Sequence, residues 1–246
     1  MANVRRLAMW SGPRNLSTAM MRAFSSRDDT WVWDEPYYAA YLTHSGQHHP
    51  MHDAILAAGD SDPSAVAAQC LTAARPDHHV HYQKHMTHHM LPSFSLDWTD
   101  QVTNLFLIRH PARVIASYAN KRDSVTLADL GFEKQLELFD RVASRQHSVP
   151  VVVDADRFLE NPEASLIALC AAIDLDYQPA MMRWPTGPHP NDGAWAPHWY
   201  DRVWASDGFT AVSPPAPLPD LPPAFDDMVQ RAIDLQSPLA QAALLP

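Results

Sequence analysis

Three short segments hold side chains that can do chemistry, and two of them suit an anion. Ser11-Gly12-Pro13-Arg14-Asn15-Leu16-Ser17-Thr18 follows the apolar run Leu7–Trp10 and leads into a helix-patterned stretch. A turn feeding a helix N-terminus leaves backbone N–H groups unpaired, and the helix dipole adds partial positive charge there. Ser17 and Thr18 add hydroxyl donors, and Arg14 adds a charged fork able to grip two phosphoryl or sulfuryl oxygens. The plain alternative is an ordinary strand–turn–helix connection with Ser17 as the helix cap. The segment is not a Walker A loop, because Leu16-Ser17-Thr18 stands where Gly-Lys-Ser/Thr is required.

The second segment, Phe106-Leu107-Ile108-Arg109-His110-Pro111, puts Arg109 at the end of an apolar run, with Ser117 eight residues on. Arg113 and Ser117 are spaced i, i+4 and share a helix face. Ligands of open α/β sheets bind at the carboxyl ends of the strands, so Arg109 and the Ser117 hydroxyl read as a second anion contact. The alternative is a surface ion pair at Arg109 and a small packing residue at Ser117. The third segment, Tyr82-Gln83-Lys84-His85-Met86-Thr87-His88-His89, supplies an ammonium and several imidazoles, groups suited to moving protons near neutral pH.

These segments need elements to position them. Arg6–Trp10 reads as a buried strand, Ser11–Leu16 as a turn and Ser17–Ser25 as a helix with one apolar face. Trp31–Trp33 is a short strand ending at Asp34-Glu35-Pro36, and Tyr37–Asp62 has no clear period. A helix over Pro63–Ala74 precedes strands at Val80–Lys84 and Val102–Ile108, the latter apolar enough for the sheet centre. Helices over Pro111–Lys121 and Phe132–Gln146 lead to a strand at Val149–Val153. Asn161-Pro162-Glu163 then starts a helix that runs to about Ile173. Strands alternating with helices imply a parallel sheet covered on both faces. The Trp-, His- and Pro-rich stretch Trp184–Trp204 reads as an ordered loop, Ser213–Pro223 as a semi-rigid Pro-rich segment, and Phe225–Leu235 as a closing helix.

The chain has 246 residues, which suits one α/β domain over 1–246. Its formal net charge is −10, which argues against nucleic-acid binding and means that an anionic ligand must be caught by a local cluster. No apolar run reaches membrane-spanning length, and Met1–Arg6 followed by Leu7–Trp10 lacks a signal-peptide core. With Cys70 and Cys170 as the two cysteines, the expected compartment is cytoplasmic.

The anion segments resemble the sulfotransferase superfamily, which uses 3′-phosphoadenosine-5′-phosphosulfate (PAPS). Ser11–Thr18 resembles the family's 5′-phosphosulfate loop, Arg109 to Ser117 its Arg-x7-Ser 3′-phosphate motif, and Val151–Leu175 its later strand–helix unit. The similarity covers roughly residues 5–25, 80–120 and 150–176. Gly187-Pro188, Asp192-Gly193 and Trp199-Tyr200 are similar to the tail of an uncharacterised bacterial sulfotransferase-like subgroup, some of whose members are associated by name with aminotransferases. The resemblance implies a P-loop NTPase-like three-layer α/β/α fold with a central parallel sheet. It implies transfer of a sulfuryl group from PAPS to a hydroxyl or amine of a small molecule. Arg14 would hold the bridging and sulfuryl oxygens, and Gly12 to Thr18, including Pro13, Asn15 and Leu16, would form the 5′-phosphate cradle. Arg109 and Ser117 would take the 3′-phosphate. Three positions depart from the pattern: Leu16 replaces a loop glycine and so disfavours positive φ, Ala19 replaces an adenine-stacking aromatic, and Met181–Ala196 has no Arg-Lys-Gly segment.

In-line transfer needs a base for the acceptor proton. The family's Lys-Thr-His segment is matched by Lys84-His85, one residue early, so His85 and then His88 are the expected bases, with Lys84 stabilising the departing charge. Glu35 is a further candidate for base or substrate contact, or a surface carboxylate before Pro36. His81, His85 and His89 would share a face only in a helix; on a strand they do not converge, and no zinc spacing is present, so no metal is expected. Most of His44, His48, His49, His52, His78 and His79 read as solvated loop residues. Trp195, Trp199, Tyr200 and Trp204 either wall an acceptor pocket or pack the late loop onto the sheet. The competing functions are a P-loop-type phosphotransferase using ATP or another nucleotide, and a non-catalytic nucleotide-binding relative. Acceptor identity and oligomeric state are not legible in the residues.

Overall fold

A computed structural model describes residues 4–121, 124–212 and 216–244. The start of Met1–Arg6 and residues 213–215 of the Pro-rich segment lie outside the described residues. Strand β1 (Arg5–Ser11) enters helix α1 (Ser17–Ser25), then β2 (Thr30–Asp34). Helices α2 (Tyr38–Ser45), α3 (His52–Ala58) and α4 (Pro63–Thr72) lead to β3 (Val80–Met86). After β4 (Thr103–Ile108) come α5 (Pro111–Ala119), α6 (Leu127–Leu130) and α7 (Phe132–Gln146). The chain continues through β5 (Val151–Asp154), α8 (Ala155–Phe158) and α9 (Pro162–Ala172), then α10 (Ala196–Trp199), α11 (Asp201–Trp204) and α12 (Asp226–Gln241). All pairings within the five-stranded sheet are parallel, in the order β2-β3-β1-β4-β5.

The expected strands and main helices are present within a few residues. Asn161 accepts from the Ala164 N–H as the cap of α9, and Asp62 caps α4 through the Ser64 N–H. Two helices, α2 and α3, occupy Tyr37–Asp62, where no period was legible: α2 buries Tyr38 to Leu42 consecutively, so it shows no polar face. The closing helix runs six residues past Leu235 and carries Pro238 inside it, because Leu239 still packs on the sheet. The late loop contains α10 and α11, two single turns.

The sheet is buried on both faces. Leu7 and Met9 face α1 and α9, whereas Ala8 and Trp10 face α4, α7 and α12. This explains why β1 reads as a continuous apolar run. His85 belongs to the second face: its ring stacks on Trp10 at 4.5 Å between centroids and lies 5.1 Å from Trp98. Its Nε2 donates to Gln83 Oε1 at 3.1 Å. The late loop is fastened to the first face by Arg22, whose Nη2 donates to Asp192 Oδ2 at 2.8 Å, with both side chains buried. Asp192 Oδ2 also accepts from the Trp204 indole and the His189 N–H.

Two outcomes follow from this packing. Arg22→Met leaves the Asp192 carboxylate buried without its cation, which is expected to cost about 3–5 kcal/mol in urea unfolding. Burial, with His81 nearby, lowers the His85 pKa to about 3. The unfolded ring titrates at about 6.5, so it binds the extra proton below that pH, and stability falls as pH drops from there toward 3. His85→Phe removes that contribution; between pH 6 and pH 4 its urea-derived stability should fall less steeply than wild type, by about 1.4 kcal/mol per pH unit.

Candidate functional site

A cleft of about 310 Å³ opens at the carboxyl edge of the sheet. Its floor is the loop after β1, residues 13–19. Gly12 is required there by a close approach: a Cβ would lie 2.4 Å from the Leu130 carbonyl oxygen. Arg14 and Leu16 take left-handed conformations, φ 64° and 71°. Leu16 was expected to resist positive φ; it adopts it, at a cost of about 1 kcal/mol, while its side chain packs against the core beneath α1. Leu16, not Ser17, is the N-cap of α1, and no side chain caps it. The first-turn N–H groups therefore end in the cleft. Asn15 is buried, with Nδ2 at 3.5 Å from the Leu107 carbonyl of β4.

The second anion segment meets this loop. Arg14 Nε donates to Ser117 Oγ at 2.8 Å, and Arg109 Nη1 donates to the Arg14 carbonyl at 3.4 Å. Arg109 is oriented by Asp156, whose Oδ1 lies 3.2 Å from Nε and whose Oδ2 accepts from the His110 N–H at 3.1 Å. Arg113 also pairs with Asp156, at 3.3 Å, and its guanidinium donates to the carbonyls of Ala216 and Pro217 in the Pro-rich segment. It is therefore committed outside the cleft. Burial lowers the Arg14 pKa, and the positive charge of Arg202 lowers it further, with Asp201 opposing and Arg109 adding a smaller push. Arg202, on α11, lines the same cleft, and none of the described hydrogen bonds or ion pairs engages its side chain. Sequence reasoning missed it because the late cation was sought within Met181–Ala196, before α11.

At the other end of the cleft stands a buried charge network. Lys84 Nζ donates to Asp34 Oδ1 at 2.9 Å, Glu35 Oε1 at 2.5 Å and Tyr200 OH at 2.6 Å. Tyr200 OH in turn donates to Asp34 Oδ2 at 2.7 Å and accepts from the Trp195 indole at 2.9 Å. Burial raises the Glu35 pKa, opposed by Lys84 and reinforced by Asp34. For Lys84, burial is outweighed by Asp34 and Glu35, which together raise its pKa. Glu35 is thus no surface turn carboxylate.

His88 and His89 line the cleft beside Glu35, and His85 does not. The correction has a simple cause. Strand β3 runs to Met86, two residues beyond its expected end, so Lys84 and Met86 face the cleft and His85 faces the opposite core. His89 Nδ1 lies 3.9 Å from Glu35 Oε2, and its ring is sandwiched by Tyr38 at 4.4 Å and Tyr41 at 4.8 Å. Burial lowers the His88 pKa to about 3 and that of His89 well below its usual value, so both rings are neutral. His49, expected to be solvated, is buried and donates to or accepts from Tyr38 OH at 2.9 Å. Of the late aromatics, Trp199 and Tyr200 line the cleft, and Trp199 stacks on Tyr118 at 6.3 Å. Among the described residues, no group of three or more His, Cys, Asp or Glu could hold a metal ion, and no helix is long and apolar enough to cross a membrane.

Comparison with known proteins bears on this geometry. The chain is 31% identical over 202 residues to branched-chain-amino-acid aminotransferase-like protein 2 of Arabidopsis thaliana, covering 82% of this chain and 36% of that protein. It is 30% identical over 235 residues to the aminotransferase-like protein 1 of the same plant, covering 96% of this chain and 41% of that protein. The chain therefore spans about two-fifths of the length of these relatives. Among solved structures, the sulfotransferase domain from the curacin biosynthetic pathway aligns over the whole of both chains with a TM-score of 0.58 at 13% identity. The sulfotransferase domain of the Synechococcus PCC 7002 olefin synthase aligns over 100% of this chain and 98% of its own, at 0.51 and 16% identity. Both likenesses support a P-loop-like three-layer α/β/α fold around the parallel sheet. A family model described as "Sulfotransferase domain" matches residues 5–243, and the chain accordingly belongs to the sulfotransferase-domain family.

Proposed function

We propose that this chain transfers a sulfuryl group from PAPS to a hydroxyl or amine of a small-molecule acceptor. The observation that carries the reading is the meeting of Arg14 with Ser117 and Arg109 in one cleft, over a helix N-terminus that no side chain caps. A donor set of open N–H groups and guanidiniums suits a ligand with two separated anionic groups. The N–H groups of Asn15 to Thr18 and the Ser17 and Thr18 hydroxyls would hold the 5′ side, and Arg109 with Ser117 the 3′-phosphate. Arg202 offers a late cation in place of the missing Arg-Lys-Gly segment. Tyr118 and Trp199, parallel within 14°, offer flat faces to a base where Ala19 cannot. When bound, PAPS supplies an activated sulfuryl group.

The chain's own residues then divide the work. Glu35 Oε2 is the free oxygen of a carboxylate whose Oε1 is held by Lys84, and it faces the imidazole side of the cleft. With its pKa raised by burial, and Oε2 left open beside the imidazoles, Glu35 accepts the acceptor's proton. His88 is neutral and too weakly basic to keep a proton, so it orients the acceptor by hydrogen bonding. Lys84 stays charged between two carboxylates and fixes Glu35. Arg14 meets the charge that develops toward the leaving nucleotide.

Adenosine 3′,5′-bisphosphate should bind and raise the melting temperature. Arg14→Ala and Arg109→Ala should each weaken binding about 10- to 100-fold, the size of a lost charge-assisted hydrogen-bond set. The absence of any shift at saturating ligand would remove the reading. Glu35→Gln should leave bisphosphate binding intact and lower transfer about 10²- to 10⁴-fold. In wild type, kcat/KM should rise with pH through a value above the ordinary 4.5 of a glutamate, as the raised Glu35 carboxyl ionises.

A further inference from the structure

Strand order sorts the charges of the cleft. Along the carboxyl edge, β4 brings Arg109 and β1 brings Arg14, while β3 brings Lys84 and β2 brings Asp34 and Glu35. Neighbouring strands lie about 4.8 Å apart, so the ends of β4 and β2 are separated by about 14 Å. Guanidiniums therefore crowd one end and carboxylates the other. The ammonium at the carboxylate end has nothing left to offer a ligand. Its three N–H donors are spent on Asp34, Glu35 and Tyr200 at 2.9, 2.5 and 2.6 Å. Both Asp34 oxygens are also occupied, Oδ2 by Tyr200 OH and the Gly193 N–H.

What remains to meet a ligand there is Glu35 Oε2 and the imidazole faces. His88 Nδ1 and His89 Nδ1 are buried and have no hydrogen-bond partner among the described residues, and both rings line the cleft. Tyr38 and Tyr200 add aromatic walls. Two carboxylates against one ammonium leave that end negative or neutral, never positive. The neighbouring outer depression, which shares His49 with the cleft, does not reverse this: Lys121 lines it but pairs with Asp201 at 3.4 Å.

We infer that the acceptor is an uncharged or cationic alcohol, phenol or amine, and that the Glu35 end of the cleft discriminates against carboxylate-, phosphate- or sulfate-bearing molecules. The inference rests on the donor-binding reading above and adds the charge class of the second substrate. Among the described residues, an anion placed there meets Glu35 without a free cation, and it meets the donor's own negative charge besides. A hydroxyl or amine N–H instead finds acceptors at Glu35 Oε2 and the rings, with aromatic surface for its apolar body. A cationic group gains from the carboxylate and from the ring faces.

Three phenols of matched size test this on protein saturated with adenosine 3′,5′-bisphosphate: 4-ethylphenol, tyramine and 3-(4-hydroxyphenyl)propanoate. Calorimetry at pH 7.5 should show the propanoate binding at least tenfold more weakly than both others. Glu35→Gln should narrow that gap to less than threefold, whereas Arg183→Gln, on an exposed ion pair with Asp207, should leave it unchanged. Equal or tighter binding of the propanoate overturns the inference, as does failure of all three to bind while the bisphosphate binds. Failure of the bisphosphate itself is a different result, which removes the donor reading and this one with it.

Discussion

The buried ammonium of Lys84 is the interaction on which the cleft depends. Taking one cation and two carboxylates out of water costs several kcal/mol per ion, and the arrangement persists because the ammonium and both Asp34 oxygens are met. Lys84 spends three donors, Asp34 accepts on both oxygens, and Tyr200 OH closes the circuit. These residues come from the end of β2, from β3 and from the late segment, so one cluster ties three distant stretches of chain. Without the ammonium, the two carboxylates would repel each other and Tyr200 OH would lose one of its donors.

Anchoring Tyr200 has consequences along the chain. Its neighbour Trp199 presents a carbonyl to Arg14 Nη1 at 3.4 Å, and α11, which starts at the next residue, carries Arg202 to the cleft. A second buried pair, Arg22 with Asp192, holds the same segment against α1, the helix whose N-terminus floors the site. The wall of the cleft is thus fastened at two points by charges that water cannot screen. Of the late aromatics, Trp195 and Tyr200 pack the segment against α2, and Trp199 and Tyr200 line the cleft.

Backbone strain concentrates in the same place. Arg14, Leu16 and Glu35 all have positive φ, at 64°, 71° and 42°, and all three line the cleft. Non-glycine residues hold such conformations at a cost of about 1–3 kcal/mol each, and only where the surroundings over-determine them. Here the surroundings are the Arg14–Ser117 hydrogen bond, the Leu16 contact with the core and the Lys84–Glu35 pair. The strain turns the loop N–H groups of β1–α1 and the Glu35 carboxylate toward a shared space.

The amino-acid sequence by itself determined the parts that obey local rules. Alternating strands and helices, the Pro63 start of α4, the cap at Asn161, the Arg14 loop and the Arg109-to-Ser117 spacing depend on residues a few positions apart, and each is legible there. The tertiary structure decided which side chains face one another. Whether His85 or Lys84 faces the cleft turns on the parity of β3, and the parity turns on where pairing with β1 places that strand. Glu35 is held by Lys84, 49 residues away, and Arg202 reaches the cleft because Tyr200 is held by Asp34 from 166 residues away. Partners at such separations leave no periodicity in the chain. They are selected by the desolvation of buried charge, which operates only once the sheet has brought them together.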